Sequence, residues 1–173
     1  GSKNLKAIAV KGNQELAIAH PEDALDYFQQ INTQILPTKF RKAISQRDIL
    51  TRLDNLNKLG LLRTRNHQSN CIATPTGINV ESTRKYFKGR RACSGCPLNC
   101  IIAFNVPWGT YQGCYQELPE FNGFAALSSI CGISDLKSTL VFIDLALRLG
   151  LDTANIGNLI AFAMECYEAV SYT

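Results

Sequence analysis

No run of roughly 18 uncharged apolar residues occurs anywhere in the 173-residue chain, so no membrane-spanning helix is expected. The start, Gly1-Ser2-Lys3-Asn4, lacks the apolar stretch of a signal peptide, and the expectation is a cytoplasmic chain. Low-complexity tracts and internal repeats are missing. With 46% hydrophobic and 18% charged residues the composition lies outside the disordered range. The net charge of +4 is too small to argue for nucleic-acid binding, and no basic stripe interleaved with aromatics is present; it suits an acidic protein partner. The only two histidines, His20 and His67, match no metal-ligand spacing and are expected at the surface or as caps.

Cysteine is what the chain does have. Seven is an odd number, and Cys93, Cys96 and Cys100 are crowded into Cys-x2-Cys-x3-Cys with Pro97 after the second. In a chain of this length a disulfide scaffold is unexpected, and reduced, metal-ligating thiols fit better. Zinc and iron-sulfur both accept thiolates. Structural zinc usually draws its ligands as two separated pairs, whereas clustered cysteines followed by proline resemble the run of bacterial ferredoxins, which favours a four-iron four-sulfur cluster. With Pro97 at a first helical position, Cys96 would be an N-cap and Cys100 would lie on the first turn, where the helix dipole lowers thiol pKa values. Cys71, Cys114, Cys131 and Cys166 are candidates for a fourth ligand, which could equally lie beyond Thr173. As unused thiols each is expected to be a small buried apolar residue.

The rest of the chain is expected to be mainly α: a multi-helical domain with one short N-terminal strand and a small hairpin near residues 107–116. Leu5 to Val10 alternates briefly and ends at Lys11-Gly12, which suggests that strand, left from a missing sheet domain. Pro21 followed by Glu22 and Asp23 predicts a helix to about Asn32. Ser45-Gln46-Arg47-Asp48 resembles a capping box for a helix over Ile49 to Leu59, stopped by Gly60. Residues 61–77 are expected as a polar surface loop and residues 81–88 as a short charged helix. Its Arg84, Lys85 and Lys88, with Arg90 and Arg91, would offset a cluster's charge, receive an acidic partner, or form a solvated face. Further helices are expected at 119–129, at 135–149 up to Gly150, and at 153–169 behind Asp152. The last two are apolar around more than half their circumference, as expected of helices buried or covered by another domain.

Four ordered segments resemble the aldehyde ferredoxin oxidoreductases, the tungsten-pterin oxidoreductases: residues 1–10 (Gly-Ser-Lys-Asn-Leu-Lys-Ala-Ile-Ala-Val), 92–100 (Ala-Cys-Ser-Gly-Cys-Pro-Leu-Asn-Cys), 149–153 (Leu-Gly-Leu-Asp-Thr) and 160–165 (Ile-Ala-Phe-Ala-Met-Glu). The resemblance implies that residues 1–12 are the trailing strand of an absent pterin-binding domain. Residues 13–173 would be the middle helical domain, truncated on its C-terminal side. It further implies oxidation of a small aldehyde to a carboxylic acid at a tungsten or molybdenum bis-pterin centre, with electrons passing through a 4Fe-4S cluster to ferredoxin. A homodimer is expected when full length, and the fragment alone should be inactive. By resemblance Cys93, Cys96 and Cys100 are cluster ligands, and Gly150, Leu151 and Asp152 shape and hold a pterin contact. Leu-Pro-Glu-Phe-Asn (118–122) resembles the family's Gly-Pro-Glu-Tyr-Glu and makes Glu120 a candidate general acid or base near the metal. Leu118 stands where the family has glycine, and Leu147 where it usually has Asp or Asn.

Two other readings stand beside it. One is a stand-alone iron-sulfur electron-transfer module with Cys71 or Cys114 completing the cluster. The other is a zinc-stabilised interaction domain.

Overall fold

Leu5 to Val10 is too short to hold itself extended without a partner strand to take its N–H and C=O groups. In the computed structural model, which describes residues 3–5, 7–39, 49–73, 77–78, 84–118 and 121–171, residues 7–18 belong to no strand. Ile8, Val10 and Leu16 are exposed there. The expected N-terminal strand is therefore an unpaired arm. It leads into α1 (Pro21–Ile35), which has Pro21 in its first turn with Glu22 and Asp23 beside it and buries no residue. His20 is its N-cap residue but makes no side-chain capping bond.

The second helix, α2 (Ile49–Lys58), carries the fully buried Leu53; its expected cap over 45–48 lies outside the described residues. Gly60, at φ +66°, ends it as expected: the Gly60 N–H donates to Asn57 O (3.1 Å) and the Leu61 N–H to Leu56 O (2.8 Å), a Schellman closure. The segment after it is only partly the polar loop expected, since Leu62 and Thr64 are buried. Asn57 stitches it to α2 by accepting from the Ile72 N–H (2.6 Å) and donating to Ile72 O (3.1 Å).

Three antiparallel strands follow in the order β1 (Phe87–Arg91), β2 (Ile101–Asn105), β3 (Tyr115–Leu118). The short charged helix expected over 81–88 is thus corrected; residues 81–83 lie outside the described residues, and Phe87 opens a strand. Two local facts oppose a helix here. Gly89 sits at φ +133°, at a bulge in the register, and Tyr86 must reach the core, where its ring stands 6.2 Å from that of Trp108. Basic side chains then guard an edge strand rather than coat a helix. Central β2 buries Ile102, Ala103 and Phe104 in succession. The expected small hairpin is present: Val106 N–H donates to Cys114 O (2.9 Å), Gly113 N–H to Val106 O (2.8 Å), and the chain returns as β3.

Helices cover the sheet. A short α3 (Phe121–Ala125), which buries Gly123, Phe124 and Ala125, runs into one wide π-helical stretch, Ala126–Ile130, that is almost wholly buried. Then come α4 (Leu136–Arg148) and α5 (Thr153–Ser171), close to the expected bounds. On α4 the buried Leu136, Thr139, Leu140, Ile143 and Ala146 recur at helical spacing against the core of Leu53, Tyr86, Ile102, Phe104 and Phe124. On α5 only Gly157 and Ala161 are buried. A Cβ on Gly157 would stand 2.6 Å from the Ala126 carbonyl carbon, so glycine lets α5 touch the π-helical backbone. The result is a mainly α chain with one small sheet.

Candidate metal centre and a separate cleft

The three clustered cysteines all lie on one connection, residues 92–100, between β1 and β2. Pro97 does not start a helix, so the N-cap role expected for Cys96 and the first-turn place of Cys100 are corrected. The reason lies downstream: Ile101 to Asn105 is needed as the central strand, and its ladder to both neighbours outweighs a local helix start. Cys93 and Cys100 are exposed and Cys96 half-buried. The Cys96 N–H donates to Cys93 O (3.0 Å), a tight turn, with Gly95 and Asn99 at positive φ. No three His, Cys, Asp or Glu side chains among the described residues stand close enough together to hold a metal ion. The donor set suits a thiolate-bound metal in its chemistry alone: three free thiols on one loop, Cys93 and Cys100 open to solvent and Cys96 half-buried, with a ladder closing both ends of the loop.

The four other cysteines divide. Cys131 is buried, its thiol donating to Ala126 O (3.2 Å) and Gly157 O (3.3 Å), and burial pushes its pKa up. Cys114 is half-buried against Leu140 O (3.7 Å); burial and then the Asp144 charge raise its pKa. Both thiols already have carbonyl acceptors within the fold. Cys71 and Cys166, expected inside, are exposed instead.

Between α4 and α5 the segment Leu149 to Asp152 forms a compact turn. Gly150, at φ +69°, donates to Leu147 O (3.0 Å), Leu151 N–H donates to Ala146 O (2.9 Å), and Asp152 Oδ1 accepts from the Asn155 N–H (2.7 Å) as the N-cap of α5. The glycine stop and aspartate cap read from the sequence are thus both in place. Gly150, Leu151 and Asp152 are open to solvent, with two of their amides already spent inside the turn. Glu120 lies outside the described residues.

Sequence reasoning missed a further feature, the turn at Arg65 to His67. Arg65, Asn66 and His67 are three consecutive residues at positive φ (47°, 49° and 68°), an arrangement that costs non-glycine residues energy. It is held by Arg65 N–H to Ser129 O (3.1 Å) and Asn66 N–H to Ile130 O (2.8 Å), at the end of the π-helical stretch. Arg65 and Asn66 side chains also reach Glu168 and Glu165 of α5. Beside this turn opens a cleft of about 460 Å³, walled by Arg63, His67, Phe121, Asn122, Ser129 and Asn158 among others. The signal available in the sequence was the Asn-His pair, since both tolerate the left-handed region better than most residues.

The profile of the family described as "Aldehyde ferredoxin oxidoreductase, domains 2 & 3" matches residues 27–171. The chain is similar to the tungsten-containing aldehyde ferredoxin oxidoreductase of Pyrococcus horikoshii, 31% identical over 97% of this chain and 27% of the relative. It is similar to that of Thermococcus kodakarensis with the same identity and coverage. A shorter similarity, 32% identical over 53% of this chain and 14% of the relative, is to an aliphatic sulfonate oxidoreductase, WOR-like subunit, of Pyrococcus furiosus. The chain thus spans about a quarter of the length of the first two relatives. The match runs through the cysteine loop, the α4–α5 turn and both walls of the cleft: this chain belongs to the aldehyde ferredoxin oxidoreductase family.

Proposed function

We propose that this chain is the helical middle portion, residues 13–173, of an oxidoreductase that converts small aldehydes to carboxylic acids and delivers the electrons to ferredoxin. Residues 1–12 would be the end of a preceding pterin-binding domain. In this reading Cys93, Cys96 and Cys100 are three ligands of a 4Fe-4S cluster. The α4–α5 turn at Gly150, Leu151 and Asp152 forms one wall for a tungsten or molybdenum bis-pterin, with Asp152 as its polar contact. That centre supplies the two-electron redox chemistry when bound. Glu120, which directly precedes two residues of the cleft wall, is the candidate acid or base for moving the substrate's protons.

The observation that carries the reading is the coincidence of the family match with three free thiols on one ladder-anchored loop. Metal analysis and EPR of protein purified without air test it. Iron with acid-labile sulfide, and a paramagnetic signal on reduction that C96S abolishes, are expected. Colourless protein holding stoichiometric zinc would leave the interaction-domain reading instead. Against a self-contained cluster completed by Cys114 stands the contact of that half-buried thiol with Leu140 O (3.7 Å). The similarity to an aliphatic sulfonate oxidoreductase favours a second substrate class, which parallel turnover assays of the full-length protein with aldehydes and alkanesulfonates separate.

A further inference from the structure

The strained turn at Arg65 to His67 borders two depressions of unlike charge. One, of about 240 Å³, holds Glu165 and Glu168, whose carboxylates already accept from the Asn66 and Arg65 side chains. The other is the cleft of about 460 Å³, whose walls, among the described residues, carry the Arg63 guanidinium and the His67 imidazole and no Asp or Glu. Neither Arg63 nor His67 forms an ion pair among those residues. A second guanidinium, that of Arg52, stands 4.8 Å over the ring of Phe121 in the wall. The Asn158 side-chain nitrogen donates to Ala154 O (2.8 Å) and keeps its other hydrogen for a further acceptor. Leu56, Leu61 and Leu62 make the rest of the wall apolar. An apolar hollow of this size with a few polar groups is the usual form of a small-molecule site. Charge then decides the kind of molecule. Two irregular pieces of backbone fix the wall, the left-handed turn and the π-helical stretch it docks on, and such features gather at functional sites.

We propose that this cleft binds a small organic acid as its anion, with Arg63 and Asn158 at the carboxylate and Phe121 and the leucines against its apolar body. Arginine suits the first role because its planar fork matches a carboxylate and its charge is permanent. The site needs the cleft and no metal, so it stands apart from the cluster and pterin reading above.

Calorimetric titration of the full-length protein with hexanoate tests it, beside hexanamide, which keeps the body without the charge, and inorganic sulfate, which keeps negative charge without the body. Saturable hexanoate binding is expected, about tenfold weaker in R63M. L61E, which sets a like charge on the wall, is expected to weaken it as well. Arg63 and Leu61 are exposed, so both variants are expected to fold. Should R63M fail to accumulate, R63Q carries the same titration. R148M, which removes a cation paired with Asp144 outside the cleft, is expected to bind as wild type does. No saturable binding at millimolar hexanoate overturns the proposal, as does equal affinity for hexanamide or for sulfate. Binding that R63M or L61E leaves untouched overturns it too, since the hexanoate then sits elsewhere. Protein without iron ends the cluster reading and leaves this one in place.

Discussion

At the scale of single residues, close approach and hydrogen bonding decide what can be changed. Gly157 touches the Ala126 main chain so closely that G157A must push α5 outward. A loss of about 1–3 kcal/mol, typical of overpacking, is expected in urea denaturation. Asp135 caps α4 by accepting from the Ser138 N–H (2.8 Å) and hydroxyl (2.7 Å). Burial pushes its pKa up, but the bonds from Ser138 and Lys137 outweigh burial and hold it below the usual carboxylate value. A depressed folded pKa contributes stability that is fully present above the unfolded value and lost as pH falls through the folded one. D135A is therefore expected to cost about 1 kcal/mol at neutral pH. The gap to wild type should narrow in denaturation curves taken below about pH 4. The aspartate cap at 152 was legible in the sequence because an N-cap is a local decision, settled within four residues. The half-burial of Arg90, whose Nη1 has no partner among the described residues, was not, because it depends on strands joined only by folding.

At the scale of elements, the α4–α5 turn offers a clean measurement. A Cβ at Gly150 meets nothing within 4 Å, so substitution there tests conformation alone. G150A is expected to lower stability by about 1 kcal/mol and G150N by less, since asparagine tolerates the left-handed region. Thermal melts of the two variants check the order. Local signals of this kind, Pro21 at a start and Gly60 and Gly150 at stops, placed α1, α2, α4 and α5 correctly. They failed for β1 and for the cysteine loop. Phe-Lys-Gly-Arg-Arg has the charge of a helix face, and Cys-Pro has the form of a helix start; both yield to the non-local ladder with β2. Of the candidate site, therefore, the thiols were visible as residues, while the connection that presents them was not.

At the scale of the whole molecule, the accessible surface is 12267 Å², against roughly 8,400 Å² expected from its 19.1 kDa mass. Part of the excess is apolar: Leu25, Tyr27 and Phe28 on α1, and Leu159, Phe162, Tyr167 and Val170 on α5, are all more than half exposed. Of the two final helices, expected to be buried or covered by another domain, α4 packs into the core and α5 buries only Gly157 and Ala161. Surface of this kind favours association. The 173-residue chain is expected to self-associate with rising concentration in sedimentation, and L159E/F162E to suppress this while leaving the circular dichroism spectrum unchanged. Among the described residues no helix is long and apolar enough to cross a membrane. The wide turn at Ala126–Ile130 sets how these surfaces meet the cleft. Its one surplus residue acts as a phase adjuster: excising Ser128 would let the coil regularise, yet swing everything beyond it by roughly 100°. The carbonyls of Ser129 and Ile130 would then miss the strained Arg65–Asn66 docking, and a locally better spiral would come with a broken cleft.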